Sequence, residues 1–183
     1  GDTGSISISG RRHELAERHG IGAITSDEFF AQVSAAMNGL YTADEVRAVH
    51  DAWLIDEYPG VHDLIADIHR AGLTTGVLSN TNHAHWVRLA SPAHGGTGEF
   101  AAPGLVHHPH ASHILGLLKP GEAIYREFER LTGASPGDLL FFDDMEENIT
   151  AARARGWQAE VIDHTGDTAV QMRTALRTRG IAI

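Results

Sequence analysis

The sequence predicts an α/β fold, with parallel strands flanked by helices and an all-helical stretch ahead of them. Three observations carry that expectation. From residue 61 onward, short apolar runs alternate with segments of helical period, the pattern of strand–helix–strand units. Three of the polar groups that follow extended runs are a hydroxyl with amides, an ammonium and a carboxylate pair, and parallel sheets place their ligands at such strand ends. Between residues 11 and 56 only helical spacing occurs.

The elements follow in order. Residues 11–19 have the apolar spacing of a short helix. Ser26 reads as the N-cap of the next helix, with Phe29, Phe30, Val33 and Met37 as its apolar stripe. Thr42-Ala43-Asp44-Glu45 has the form of a capping box, ahead of Val46, Val49, Trp53 and Leu54. The rhythm changes at Tyr58-Pro59-Gly60. Residues 61–70 read as a helix closed by Gly72, residues 73–78 as a buried strand and residues 83–89 as a helix. A polar, glycine-rich stretch covers 91–104, and residues 114–118 read as extended. Residues 120–132 form a helix with proline in its first turn, and 139–142 a short apolar strand. A helix over 146–155 stops at Gly156, residues 159–162 make a strand, and 167–179 a final helix. All the strands are expected in one sheet.

Composition narrows the function. With 42% hydrophobic and 21% charged residues, the 183-residue chain is an ordinary globular protein, long enough for a core domain with a small insert. A formal net charge of -10 runs against nucleic-acid binding, which needs a basic face. No apolar run is long enough to span a membrane, and no signal peptide opens the chain. The absence of cysteine removes disulfides and thiolate metal sites and fits a cytoplasmic location. The chain opens Gly1-Asp2-Thr3 without methionine, which points to a processed or cut product.

Three strand ends carry the chemistry. Ser79-Asn80-Thr81-Asn82 offers a hydroxyl and backbone N–H groups at a helix start, an anion cradle or a plain N-cap. Lys119, the chain's one lysine, stands between an extended run and a helix that begins with Pro120. It suits neutralisation of a bound anion; the competing reading is a solvated surface lysine. Asp143 and Asp144 close the run Leu139-Leu140-Phe141-Phe142. Adjacent carboxylates repel unless a cation relieves them, and magnesium takes a few carboxylates with water and phosphate completing its shell. The alternative is that Asp144 caps the following helix. Together the set suits a phosphate dianion and its magnesium.

These residues resemble the haloacid dehalogenase superfamily of hydrolases. Gly76-Val77-Leu78-Ser79-Asn80 is similar to the family's second motif, Lys119-Pro120 to the third, and the run from Phe141 through Asp143-Asp144 to Asn148 to the fourth. Tyr58-Pro59-Gly60-Val61 resembles the junction where a helical cap returns to the core. The resemblance implies a three-layer Rossmann-like core over 57–183 with a small helical cap over 10–56, residues 1–9 being a remnant of the first strand and its motif loop. It implies that Ser79 and the backbone of Asn80 hold the phosphoryl group, that Lys119 neutralises phosphate and nucleophile, and that Asp143 ligates Mg2+. Asp144 would stand close by, holding a metal-bound water or Lys119, and Asn148 would brace the loop. The backbone of Gly1 would be a further metal ligand. The nucleophile, an aspartate on the family's first strand, is missing from these residues. The resemblance thus implies a magnesium-dependent phosphatase acting on a small phosphorylated metabolite through an aspartyl-phosphate. The alternatives are a non-catalytic relative that binds phosphate or protein, and a 2-haloacid dehalogenase.

Weaker signals read structurally. His107, His108, His110 and His113 fit a loop and strand edge better than a metal site, because they lack helical ligand spacing. Asp56-Glu57 and Glu146-Glu147 read as solvated charges, and Phe29, Phe30, Trp53 and Trp86 as core or cap-interface residues.

Overall fold

The computed structural model describes residues 8–183. Gly1 and its loop lie outside the described residues, so the expected backbone ligand falls there too. Helices come first: α1 (Ile8–Gly20), α2 (Ser26–Ala36) and α3 (Ala43–Asp51). Thr25, not Ser26, caps α2. Its hydroxyl accepts the Glu28 N–H at 3.2 Å while the Glu28 carboxylate accepts the Thr25 N–H at 2.8 Å. The Ser26 hydroxyl instead sits 3.0 Å from His19 Nε2. Thr42 and Glu45 close the same box on α3, as expected. Leu15, Ile24 and Val33, packed with Phe29, Met37 and Val46, give these helices a small core of their own.

The α/β part follows as α4 (Val61–Arg70), β1 (Gly76–Ser79), α5 (His83–Leu89), α6 (Ala102–Leu105), β2 (His108–Ala111), α7 (Ser112–Leu115), α8 (Glu122–Thr132), β3 (Leu140–Asp143), α9 (Glu146–Ala154), β4 (Gln158–Val161) and α10 (Thr168–Thr178). β1 pairs with β2 and β3 with β4, both parallel, so Ser79 lies opposite Ala111 and Asp143 opposite Val161. Strand alternation sorts the faces. Leu78 and Phe141 join the cluster of Ile124, Tyr125, Phe128 and Ile149 from α8 and α9. On the other face Val77 packs with Ile65 of α4, and Leu140 and Phe142 with Leu64 of α4 and Leu176 of α10. This is the expected layering of helix, parallel strands and helix.

Three expectations need correction. The strands do not make one sheet: among the described residues they form two separate parallel pairs, with β1 and β3 presenting unpaired edges. Helices α4 and α8 each cover both pairs, yet Phe141 and Phe142 remain only half-buried. The outer strand is also misplaced in the sequence reading. It runs over His108–Ala111, and residues 112–115 turn into helix α7 instead of extending. Its His-Pro-His composition hid the strand period, and proline is tolerated because β2 is an edge. Glu57 is not simply solvated either: its carboxylate accepts the Ala102 N–H at 2.6 Å, at the start of α6.

One buried residue joins the helical stretch to the α/β part. Ser112 is fully buried; its hydroxyl accepts the Thr81 N–H at 2.9 Å and has the carbonyl oxygens of Gly20 and Thr81 at 2.6 and 2.8 Å. Beside it, Gly22 adopts a φ of 71°, and a Cβ there would strike the His113 carbonyl. No helix among the described residues is long and apolar enough to cross a membrane. Ser112→Ala strands buried backbone groups on both sides of this junction. It should lower stability by about 1–3 kcal/mol in urea unfolding, and a loss below about 0.5 kcal/mol would show that these groups find other partners.

Candidate functional site

The carboxyl ends of β1 and β3 are tied together by side chains. Asn80, just past β1, holds the backbone of Lys119 from both sides: its Nδ2 donates to the Lys119 carbonyl and its Oδ1 accepts the Lys119 N–H, each at 2.9 Å. That grip turns the lysine toward β3, where Nζ donates to Asp143 Oδ2 at 2.6 Å. The other oxygen of Asp143 accepts the Met145 N–H at 2.9 Å and Asn148 Nδ2 at 2.8 Å. Tyr125 donates to the Asn148 carbonyl at 3.0 Å and so fixes the start of α9 from below.

Both members of the pair are buried, with side chains 9% and 7% exposed. Burial would push the Asp143 carboxyl up, but the hydrogen bonds from Lys119 and Asn148 outweigh it and hold the group below the usual carboxylate range. The same burial, with Asp143 nearby, raises the Tyr125 hydroxyl. The Lys119 ammonium also lies 5.3 Å from the centre of the Phe141 ring.

The structure therefore brings Asn80, Lys119, Asp143 and Asn148 into one hydrogen-bonded chain. Ser79 adjoins it at the end of β1, half-buried, and its hydroxyl has no partner among the described residues. Asp144 points elsewhere. Its side chain is 51% exposed, with His164 Nδ1 3.7 Å away. It does not cap α9, whose N-cap is Met145. Of the two aspartates, Asp143 and not Asp144 contacts Lys119.

Two hollows border this chain. A small one of about 250 Å³ lies against Tyr58, Phe142, Asp143, Asp144 and His164. A larger one of about 620 Å³ opens between α1–α3 and the loop after β1, with Phe29, His50, Trp53, Asn80, Asn82 and His85 among its walls. Its imidazoles escaped the sequence reading. His19 stacks on Phe29 with centroids 4.4 Å apart, and His50 stacks on His85 at 3.8 Å. Burial first, then the neighbouring imidazoles, lower His19 to about 4; burial and His83 do the same to His113. Burial and His85 also lower His50. These residues are far apart in sequence, so no local spacing announces them. Of the aromatics, Phe30 and Trp86 are buried core, whereas Trp53 is 74% exposed.

Comparison with known proteins agrees with this architecture. The sequence matches the family of haloacid dehalogenase-like hydrolases over residues 5–156, and the chain belongs to that family. A phosphatase of Mycobacterium tuberculosis is 27% identical over 142 residues, which is 77% of this chain and 63% of that protein. The chain thus spans less than two thirds of the length of this curated relative. A HAD family enzyme of Bacteroides thetaiotaomicron superposes with a TM-score of 0.76 at 21% identity, over 90% of this chain and 80% of that one. Its wild-type complex with magnesium and inorganic phosphate gives 0.72 at 23% identity, over 87% and 79%. The L-2-haloacid dehalogenase of Xanthobacter autotrophicus gives 0.59 at 16% identity, over 97% and 71%.

Two measurements test the electrostatics. Asp143→Ala leaves a buried ammonium without its partner and should lower stability by about 3–5 kcal/mol in denaturant unfolding. His19 and His113 stay neutral in the folded state far below the pH at which the unfolded chain protonates them, about 6.5. Their contribution is complete above that pH and is lost as the pH falls toward 4, by about 1.4 kcal/mol per unit for each imidazole. Thermal midpoints that stay flat from pH 7 to 5 would contradict this.

Proposed function

From membership of the haloacid dehalogenase-like hydrolases, we propose that this chain carries the phosphate-handling part of a magnesium-dependent phosphatase for small phosphorylated metabolites. The observation that supports it is the Asn80–Lys119–Asp143 chain across the carboxyl ends of β1 and β3. In this reading the free hydroxyl of Ser79 and the backbone of Asn80 hold the phosphoryl group. The Lys119 ammonium neutralises charge on it, and Asn148 keeps Asp143 aimed at the lysine. Asp143 Oδ2 accepts only the Lys119 bond and keeps a lone pair for the metal, and Asp144 adds an exposed carboxylate that suits a hard cation completing its shell with water and phosphate. Magnesium, when bound, would neutralise the phosphoryl oxygens. Helices α1–α3 act as the cap over 10–56, and the 620 Å³ cavity beneath them receives the leaving group.

The attacking carboxylate belongs, in the same reading, on a strand seated between the unpaired edges of β1 and β3. Among the described residues Asp143 is the only carboxylate paired with Lys119. Attack of the nucleophile on that inserted strand, not of Asp143, on phosphorus forms an aspartyl-phosphate as the bond to the leaving oxygen breaks, and the leaving oxygen takes a proton from solvent water. Water then cleaves the acyl phosphate, returning the carboxylate and inorganic phosphate. A halide-displacing reaction has no use for an exposed carboxylate in the place of Asp144, which disfavours a dehalogenase.

The product of the whole gene should release phosphate from p-nitrophenyl phosphate with magnesium and stop on chelation. Lys119→Ala and Asp144→Ala should each lower the rate by about 10²–10³-fold. Wild-type rates in either variant would refute the assigned roles. Phosphate binding without turnover across a broad ester panel would favour a non-catalytic binder, and metal-independent chloride release a dehalogenase.

A further inference from the structure

A second group of ligating side chains lies away from the aspartate pair, where the end of α3 meets the first turn of α5. His50, Asp51 and His85 each offer one ligand atom, and these atoms all lie within 4.8 Å of one another. Sequence separation hid the group, since His50 and Asp51 belong to the helical stretch and His85 to the α/β part. We propose that these three residues form a binding site for a zinc-class divalent cation, bridging α3 and α5.

Geometry favours an ion over the contacts already present. His50 Nδ1 and Asp51 Oδ1 are 3.4 Å apart, long for an N–H···O hydrogen bond. That separation matches the edge of a tetrahedron around a zinc ion, about 3.3–3.6 Å for ligand distances of about 2.0–2.2 Å. His85 donates its Nε2–H to the His50 carbonyl at 2.9 Å, which leaves Nδ1 as a lone-pair donor. Imidazoles bound to metal characteristically give their other N–H to such an acceptor. The two rings now stack with centroids 3.8 Å apart and planes 26° from parallel. Convergence on one ion needs the His85 ring to turn out of the stack, pivoting on its bond to the His50 carbonyl.

The donor set selects the ion. Two imidazoles and one carboxylate suit zinc, cobalt or nickel, whereas magnesium prefers an all-oxygen shell. Three protein ligands leave a fourth position open. His50 and His85 both line the 620 Å³ cavity, and Asp51 is 41% exposed, which gives the ion a way in.

Asn82 provides a specific check. Its Nδ2 lies 3.1 Å from His50 Nε2, while its Oδ1 accepts the His85 N–H at 3.1 Å and caps α5. The amide therefore donates to His50 Nε2 and keeps that ring's proton on Nδ1. An ion at Nδ1 moves the proton to Nε2, which then needs an acceptor. Asn82→Asp supplies one and still caps the helix, because aspartate and asparagine are equivalent N-caps.

The test uses Co2+ as a spectroscopic probe and Zn2+ for thermal stability, on the 183-residue chain, with magnesium in excess. One cobalt per chain should give a saturable visible absorption of tetrahedral type, displaced by zinc and not by magnesium. Zinc should raise the thermal midpoint. Both signals should vanish in His85→Ala and in His50→Gln, and persist in a control lacking His108 and His110. Asn82→Asp should tighten the ion by about 10-fold, the size of a carboxylate–histidine support. An absent cobalt band, or binding that survives both His50→Gln and His85→Ala, overturns the proposal.

Discussion

A lysine buried against an aspartate is tolerated only when both find enough partners to offset the loss of water, and the strand ends of this protein are arranged around meeting that demand. Lys119 has its backbone gripped by Asn80, and Asp143 has its second oxygen filled by Met145 and Asn148. The pair also has a mechanical role. β1 and β3 share no backbone ladder among the described residues, so hydrogen bonds do not register the two strand pairs against each other in the usual way. The chain from Asn80 through Lys119 to Asp143 supplies a polar link across that seam, while α4 and α8 supply the apolar one. Removing either charge therefore disturbs the geometry of both strand ends as well as their electrostatics.

The two aspartates separate because a strand end turns successive side chains to different sides. Asp143 faces the lysine and is held ionised by it; Asp144 faces out, beside the smaller hollow. Two carboxylates in one buried spot would raise each other's proton affinity. Split this way, one is neutralised internally and the other stays open to a cation from solution.

Much of this was legible in the sequence. The strand–helix alternation, the capping box at Thr42 and Glu45, and the polar strand ends at Ser79 and Asp143 rest on local patterns, and local patterns survive folding; the run expected before Lys119 is not a strand. What stayed hidden depends on distant contacts. β2 carries histidines and a proline, and the apolar run expected to extend, 114–118, begins as helix instead. Thr25 displaces Ser26 as a cap because Glu28 stands three residues after Thr25. The different contacts of Asp143 and Asp144 follow from where Lys119 reaches, which their adjacency in sequence does not state. Ser112 and the stacked imidazoles of His50 and His85 meet partners at least 31 residues away.

The proposed function asks so acidic a chain to admit an anion, and the distribution of charge bears on that. Its formal net charge is -10, yet among the described residues the walls of the larger cavity hold Arg12, His13, His19, His50 and His85 and no carboxylate. A carboxylate 4 Å from a bound anion would repel it by about 4 kcal/mol under the screening typical near a protein surface. Keeping that wall free of acid removes the penalty where a substrate would enter. The acids border the smaller hollow instead, and there Asp143 is already paired, which leaves Asp144 as the charge for a cation to offset. In the proposed reaction a phosphate therefore meets repulsion only where a counter-ion can bind, and the leaving group lies in a cavity without opposing charge.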